Sequence, residues 1–188
     1  MSFWPFEMET VSDHCAIENF LTSEECEKII KLGQQKKLNK AITFEGKSPI
    51  RESYISWIYP TDDVNWLFEK ITDATVQANR RCFNFELTGL GEGLQFTYYT
   101  APKGKYGRHM DSGPKAKVRK LSFTVQLSDV NSYKNGNILI HHGDPPLVIP
   151  KKRGLICFFP SYMLHEVSKV SEGERYSLVG WITGPSFK

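Results

Sequence analysis

The length, composition and charge of the chain restrict the kinds of protein it can be. Its 188 residues, 40% hydrophobic and 13% aromatic, are enough to bury one core, so we expect a single domain over residues 1–188. The net charge of +3, from 24 basic and 21 acidic residues, lacks the concentrated charge of a dedicated nucleic-acid binder. We therefore expect no nucleic-acid partner.

Cysteine usage and hydropathy predict a soluble protein in a reducing compartment. The four cysteines form no CxxC pair, which argues against a structural zinc site and a disulfide framework. No apolar run approaches the roughly 18 residues that span a bilayer, and residues 1–5 lack the start of a secretory leader. We expect a cytoplasmic protein without membrane contact, or one in an intracellular host compartment if the source is viral.

Two helices are predicted in the first half of the chain. The segment Thr22-Ser23-Glu24-Glu25 has the spacing of a capping box, and it precedes apolar residues at helical spacing, Cys26, Ile29, Ile30 and Leu32. This pattern predicts a helix over residues 23–36. A second helix is predicted after Thr61-Asp62-Asp63, ending near Arg81, with one apolar face formed by Val64, Leu67, Phe68, Ile71, Thr75 and Ala78.

From about Leu94 the apolar period changes from helical spacing to alternation, in short runs separated by Gly, Pro and Asn. The predicted strands are 94–99, 105–111, 120–127, 137–141, 146–149, 154–159, 164–167 and 175–182. Such a series predicts a mainly β protein with flanking helices (α+β), in which a sandwich or barrel over residues 94–188 is supported by helices and strands of residues 1–93. The basic cluster Lys115, Lys117, Arg119 and Lys120 is predicted to be a solvated loop.

The segment His109-Met110-Asp111 is the strongest chemical signal, because side chains at positions i and i+2 of a strand project to the same side. An isolated HxD motif is common by chance. His165, however, follows an aromatic strand and a turn, and it can supply a third ligand. Two histidines and one carboxylate on one face of a metal ion form the set that non-haem Fe(II) oxygenases use.

The presence of Arg175 supports the prediction that His165 is a metal ligand and not an ordinary hydrogen-bonded histidine. It lies at the start of an apolar strand, where a charged side chain needs a buried partner. The carboxylate of a ligand would suit a planar guanidinium, which can hold it through two parallel hydrogen bonds. Ser177 points to the same side of the strand and could add a hydroxyl group.

These motifs resemble those of the Fe(II)- and 2-oxoglutarate-dependent oxygenases, and within them the prolyl 4-hydroxylase-like group that includes the hypoxia-factor prolyl hydroxylases. The segments that carry the resemblance are 94–96 with Tyr98-Tyr99, 106–111, 165–167 and 173–176. The resemblance implies a double-stranded β-helix (jelly-roll) core. It also implies that iron is bound by His109, Asp111 and His165, and that Arg175 binds the far carboxylate of 2-oxoglutarate.

Further site residues are implied by the same resemblance. Tyr99 matches a tyrosine that lines the cosubstrate pocket, although a one-residue slip in register would put Tyr98 there instead. Trp181 matches an aromatic residue at the mouth of the site, with a core tryptophan as the alternative. Arg51, in a strand-like segment over residues 51–57, and Tyr106 are candidate substrate contacts; for Arg51 the alternative is a solvated side chain.

Two departures from the family pattern concern the substrate. Many relatives have Gly-Gly and an acidic residue where this chain has Asn135-Gly136-Asn137, and collagen-type enzymes have lysine where this chain has Arg175. Neither departure removes a metal ligand. The chain is therefore more similar to the bacterial, viral and hypoxia-factor branches.

The function implied by the resemblance is hydroxylation of a C–H bond, with peptidyl proline in a protein or peptide as the first candidate substrate. The cofactors would be Fe(II), 2-oxoglutarate and O2, with succinate and CO2 as products and ascorbate (vitamin C) as a candidate stimulant. The same chemistry on a free amino acid, lysyl residue or nucleobase is an alternative. So are a non-catalytic metal-binding β-helix module and a zinc hydrolase, although hydrolysis has no evident need for Arg175.

Overall fold

A computed structural model describes residues 11–41, 50–61, 63–114 and 116–186 of the chain. Residues 1–5, Asp62 and Lys115, on which parts of the sequence analysis rely, lie outside these ranges. Within them, strands outnumber helices, and the predicted mainly β class with flanking helices is confirmed.

The two predicted helices are present. Helix α1 spans Ser23–Gln35 and begins with the predicted capping box: Glu25 N–H donates to Thr22 Oγ1 at 3.2 Å, and Thr22 N–H donates to Glu25 Oε2 at 2.9 Å. Helix α2 spans Asn65–Ala78 and continues into a π-helical turn, Asn79–Phe83. Neither α1 nor α2 combines the length and apolar content needed to cross a membrane.

Fourteen strands occur in the described ranges, and every strand predicted after residue 94 has a counterpart. The strands are β1 (Cys15–Ile17), β2 (Asn39–Lys40), β3 (Arg51–Glu52), β4 (Tyr54–Ile58), β5 (Gly89–Leu90), β6 (Leu94–Thr100), β7 (Lys105–His109), β8 (Arg119–Gln126), β9 (Tyr133–Asn135), β10 (Ile138–Ile140), β11 (Leu147–Val148), β12 (Ile156–Pro160), β13 (His165–Val167) and β14 (Val170–Thr183). The sequence analysis missed β1, β2, β5 and β9, because two or three residues are too few to display a period of two.

The strands form two antiparallel sheets that face each other. The larger sheet has the order β1-β12-β8-β14-β6-β4-β2, with β5 and β9 also paired to β14. The smaller sheet has the order β11-β10-β13-β7-β3. Because consecutive neighbours in space are mostly distant in sequence, each sheet is assembled from several crossings of the chain between the two layers.

Alternation along the strands divides the interior into two apolar regions. On the outer face of the larger sheet, side chains such as Phe96, Phe158 and Leu178 pack with the buried faces of α1 and α2. On its inner face, Tyr99, Phe159 and their neighbours pack against the smaller sheet. Both helices therefore cover one outside face of the larger sheet, and the space between the sheets is left for a site.

Helix α1 packs very closely against β6 at Gly33. Ser56 Oγ donates to the Gly33 carbonyl oxygen at 2.8 Å, and a Cβ atom at Gly33 would lie 2.3 Å from Cγ of the buried Phe96 ring. Only a residue without a side chain fits at this contact, because a methyl group would overlap a ring that has no free space to move into.

Replacing Gly33 with Ala is expected to lower the free energy of unfolding by about 2 kcal/mol, because overpacking costs more than the helix propensity that alanine gains. Denaturant unfolding measures this change. Gly143→Ala is the matched control, since a Cβ atom at Gly143 would meet no atom within 4 Å, and we expect a change below about 0.5 kcal/mol. Equal stability of both variants would contradict the packing argument.

Candidate active site

A cavity of about 630 Å³ lies between the two sheets. It is lined by alternate side chains of β14, namely Arg175, Ser177, Val179 and Trp181, which all point inward, and by residues of β3, β6, β7, β8 and β13. Every residue that the sequence analysis named as a candidate site residue lines this cavity: Arg51, Tyr99, Tyr106, His109, Asp111, His165, Arg175, Ser177 and Trp181. The structure thus brings together side chains that are up to 130 positions apart in the sequence, from Arg51 to Trp181.

Three potential metal ligands meet at one end of the smaller sheet. His109 ends β7 and His165 begins β13, and the two residues are paired directly across these antiparallel strands. Asp111 Oδ1 lies 3.6 Å from His109 Nε2, and Asp111 Oδ2 lies 3.5 Å from His165 Nε2. All three donor atoms lie within 4.8 Å of one another, so they can bind a single ion.

Asp111 is positioned by a turn and not, as expected, by the strand that carries His109. The sequence analysis extended the strand to residue 111, but β7 ends at His109. The backbone N–H of Asp111 instead donates to the Ser161 carbonyl oxygen at 2.9 Å, so the chain turns toward the loop that follows β12. The carboxylate therefore joins the imidazoles because of this contact, not because of strand alternation alone.

Backbone contacts orient both imidazole rings. His109 Nδ1 lies 2.8 Å from the Gly107 carbonyl oxygen, and His165 Nδ1 lies 2.9 Å from the Met163 carbonyl oxygen. A carbonyl oxygen can only accept a hydrogen bond, so each Nδ1 carries the proton. In the neutral ring this leaves the Nε2 lone pair directed toward Asp111, which is the form that binds a metal ion.

The surroundings favour an ionised carboxylate and a neutral imidazole. Burial by itself would raise the pKa of Asp111, but the neighbouring His165 and His109 and a hydrogen bond from Ser122 Oγ (2.7 Å) outweigh burial and lower that pKa. Burial, followed by the repulsion of His165, lowers the pKa of His109 to about 4. At neutral pH both side chains are therefore in the protonation states that metal coordination requires.

The donor set fits ferrous iron. Two neutral nitrogen donors and one carboxylate, grouped on one side of a potential ion, leave coordination positions open on the other side. Cys157 is the nearest cysteine in sequence to His165, and it packs in the apolar region between the sheets, not in the ligand group. The open side of the group faces the cavity that also contains Arg175.

Arg175 is a buried cation whose contacts are neutral. Only 1% of the residue is exposed; Nη1 donates to Ser177 Oγ at 3.2 Å, Nη2 donates to Gln126 Oε1 at 3.0 Å, and Nε has no hydrogen-bond partner. Among the described residues, no carboxylate lies within 4 Å of its guanidinium. Since an uncompensated buried charge is costly, the environment of Arg175 fits the carboxylate of a bound ligand.

The register of β6 shows which of Tyr98 and Tyr99 faces the cavity. Tyr99 is paired with Arg175 across β6 and β14, it is buried, and its ring lies 5.2 Å from the guanidinium carbon. Tyr98 points to the opposite face, where its ring stacks on Tyr176 at 5.0 Å and its hydroxyl donates to Glu174. Tyr99 therefore faces the cavity, and Tyr98 does not.

Arg51, Tyr106 and Trp181 surround the ligand group. The Tyr106 ring stacks on the His109 ring at 3.5 Å, and the Arg51 guanidinium lies over the Tyr106 ring at 4.4 Å. Arg51 is only 9% exposed, so the alternative of a solvated side chain is wrong. Trp181 is 6% exposed and lines the cavity, which makes it both a core residue and part of the site wall.

Arg119 is a site residue that the sequence analysis placed in a solvated loop, and that prediction is wrong. Its Nε and Nη2 each donate to a carboxylate oxygen of Glu92 at 2.7 Å, and its Nη1 donates to the Asp111 carbonyl oxygen at 3.3 Å. Its guanidinium lies over the Trp181 ring at 3.8 Å. Arg119 faces the cavity although Leu121, two positions further on, packs in the outer apolar region, because the pairing of β8 with β14 shifts register between Leu121 and Arg119.

Comparison with known proteins gives a match to one family model over part of the chain. Residues 94–183 match the family model described as the 2OG-Fe(II) oxygenase superfamily. A PKHD-type hydroxylase of Prochlorococcus marinus (strain MIT 9211) is 39% identical over 100 residues, which cover 53% of this chain and 45% of that protein. A PKHD-type hydroxylase of Parvibaculum lavamentivorans is 36% identical over 78 residues, 41% of this chain and 36% of that protein. The matches thus span less than half of these relatives.

Solved structures share the fold over nearly the whole chain. A Pseudomonas putida prolyl-4-hydroxylase has a TM-score of 0.75 at 21% identity, covering 93% of this chain and 94% of that chain. A Trichoplax adhaerens prolyl hydroxylase, solved with a peptide fragment of a hypoxia inducible factor, has a TM-score of 0.76 at 20% identity, covering 92% and 84%. The likeness shows that this chain has a double-stranded β-helix fold.

Replacing His109 or Asp111 with Ala is expected to weaken Fe(II) binding more than about 100-fold, because loss of an outer partner alone costs 10–100-fold. Anaerobic titration with Fe(II) or Co(II) measures the affinity, and circular dichroism checks that the fold is intact. His142→Ala is the control, since His142 contacts Asp13 outside the cavity. Wild-type metal affinity of the His109→Ala protein would contradict the ligand assignment.

Proposed function

We propose that the protein is an Fe(II)- and 2-oxoglutarate-dependent dioxygenase that hydroxylates a C–H bond, since residues 94–183 match the family model described as the 2OG-Fe(II) oxygenase superfamily. The observation that carries the proposal is a ligand group of two histidines and one aspartate that shares a cavity with a buried arginine whose contacts are neutral. In this cavity the three ligands would bind the metal ion, and the buried arginine would bind the carboxylate of the cosubstrate.

We propose these roles within a single domain over residues 1–188, in which residues 94–188 form the β-helix core and residues 1–93 support it. His109, Asp111 and His165 would hold the iron. When bound, Fe(II) with 2-oxoglutarate and O2 supplies the oxidising chemistry: 2-oxoglutarate becomes succinate and CO2, one oxygen atom entering succinate and the other the substrate hydroxyl group. The protein supplies orientation and a water-poor environment.

Arg175 would bind the far carboxylate of 2-oxoglutarate. Nη1 and Nη2 already donate to neutral oxygens of Ser177 and Gln126, while Nε lacks a partner, so the guanidinium retains hydrogen-bonding capacity and its full charge. Tyr99 lies over the guanidinium, and the apolar side chains of Phe159 and Val179 line the same cavity. These neighbours would limit water around the carboxylate and strengthen its attraction to Arg175.

Within the cavity, the positions of the histidines are fixed before any metal binds. The Gly107 and Met163 carbonyl oxygens hold both Nδ1 atoms, and Tyr106 stacks on the His109 ring. Ser122 holds the Asp111 carboxylate. Such preorganisation lowers the free-energy cost of assembling the site when the metal ion arrives.

Peptidyl proline is the substrate we propose first, because the structural neighbours include prolyl hydroxylases and one of them was solved with a peptide. A free amino acid, a lysyl residue or a nucleobase are alternatives, as is a non-catalytic metal-binding module. The absence of a further arginine between Tyr176 and Lys188, where nucleobase demethylases carry one, disfavours the nucleobase. A soluble cytoplasmic location and stimulation by ascorbate belong to the same proposal.

Arg175→Ala is expected to raise the Michaelis constant for 2-oxoglutarate about tenfold or more, because charge-assisted hydrogen bonds are worth about 1.5–3 kcal/mol. Arg175→Lys, which keeps the charge without the planar fork, should be intermediate. Oxygen consumption at varied 2-oxoglutarate concentrations measures the constant. Arg80→Ala removes an exposed arginine next to α2 and is the control; an unchanged constant in Arg175→Ala would count against the carboxylate role.

The purified protein is expected to consume O2 only when Fe(II) and 2-oxoglutarate are both present, and to release succinate. Mass spectrometry of proline-containing peptides incubated with it should show a gain of one oxygen atom. Oxygenation of a lysyl peptide or nucleotide beside unmodified prolyl peptides would replace the proposed substrate. Binding of metal and 2-oxoglutarate with no O2 consumption for any substrate class would support the non-catalytic module instead.

A further inference from the structure

Arg51 is a second buried arginine in the cavity whose hydrogen bonds go to neutral groups. It lies on β3, and it is nine-tenths buried. Its Nε donates to Ser53 Oγ at 3.0 Å, and its Nη2 donates to Gln95 Oε1 at 2.8 Å. These contacts fix the orientation of the guanidinium but leave its charge uncompensated.

The carboxylates near the cavity are already engaged with other groups. Glu92 binds Arg119 through both of its oxygens, and Glu52, which follows Arg51, pairs with Lys40 at 3.0 Å. Asp111 belongs to the metal-ligand group. Across residues 11–41, 50–61, 63–114 and 116–186, no carboxylate lies within 4 Å of the Arg51 guanidinium.

Arg51 and Arg175 occupy separate positions along the cavity. Both contact inward-facing side chains of β6: Arg51 bonds to Gln95, and Arg175 lies over Tyr99. Residues four apart on a strand point to the same face and are separated by roughly 13 Å along it. A single carboxylate bound at Arg175 therefore cannot also neutralise Arg51.

Arg51 is close to the potential metal ion. Its guanidinium lies over the Tyr106 ring, and the other neighbour in this stack is the ring of His109. An anionic group bound to Arg51 would therefore be close to His109, with only the Tyr106 ring between the guanidinium and this potential metal ligand. Because Arg51 lines the same cavity as the ligand group, a carboxylate held by Arg51 would keep the neighbouring atoms of the substrate in the space that this group faces.

From these contacts we propose that Arg51 is the substrate-binding residue for a carboxylate, so that the substrate is acidic close to the hydroxylated carbon. This inference rests on the proposed function, since it takes the anion at Arg175 to be 2-oxoglutarate. The carboxylate has two sources with the same chemistry: the α-carboxylate of a free amino acid, or the side chain of an acidic residue next to the target in a peptide.

Binding to matched acid and amide probes tests the proposal. The 188-residue protein is loaded with Mn(II) and 2-oxoglutarate. Calorimetry then measures its affinity for L-proline against L-prolinamide, and for acetyl-Pro-Asp-amide against acetyl-Pro-Asn-amide. In at least one pair the acid is expected to bind about tenfold tighter or more. The pair that shows the preference identifies the source of the carboxylate, and equal affinity within both pairs, including no binding, would overturn the proposal.

Variants then assign the preference to Arg51. Arg51→Gln should remove the difference between acid and amide, and Arg51→Lys should retain part of it. Arg108→Gln removes the same charge from an exposed position on β7 and should leave the difference unchanged. A preference that survives in folded Arg51→Gln, or that disappears equally in Arg108→Gln, would overturn the assignment; if Arg51→Gln does not fold, Arg51→Lys and the wild-type pairs decide.

The affinity for 2-oxoglutarate in the same samples separates the two proposals. If wild type binds 2-oxoglutarate but shows no acid preference, the inference about Arg51 fails and the proposed function stands. If wild type with metal does not bind 2-oxoglutarate, the proposed function fails. Arg51→Gln is expected to change that affinity less than about twofold, because the β6 residues that Arg51 and Arg175 contact, Gln95 and Tyr99, are roughly 13 Å apart along the strand.

Discussion

The direct pairing of His109 with His165 across β7 and β13 is the contact on which the site depends. In a strand pair, a slip of one residue turns a side chain to the opposite face. Either histidine displaced in this way would point its Nε2 away from Asp111, and no ligand group would remain. The short strands β7 and β13 are held in register by their backbone hydrogen bonds and by β10 on the far side.

The same dependence on register connects the site to the core through β14. Arg175, Ser177 and Trp181 face the cavity, while residues that alternate with them, such as Leu178 and Ile182, pack in the outer apolar region with the helices. Burial of the outer face provides stability that the polar inner face cannot, because polar groups gain little from leaving water. The two helices therefore stabilise a sheet whose other face is free to carry charged residues.

The sequence predicted the elements and residues that follow local rules. Spacing located both helices and the longer strands. The three potential ligands were recognised from the two-residue spacing of His109 and Asp111, from the position of His165 after a strand and a turn, and from the resemblance of these motifs to a family. Burial of Arg51 and Arg119 was not predicted, because charged side chains are exposed by default and their partners are distant: Gln95 lies 44 residues from Arg51, and Glu92 lies 27 from Arg119. The turn that delivers Asp111 depends on Ser161, which no local pattern links to it.

The charges of the cavity explain why these long-range contacts matter. Arg119 is neutralised by Glu92 and supports the wall through Trp181 and the Asp111 carbonyl, so it serves the structure of the site. Arg51 and Arg175 are held only by neutral groups, at a cost in stability that a ligand can offset. A protein whose cavity carries two such cations is expected to be more stable with anions bound than without them, and the site is therefore shaped by ligands as well as by packing.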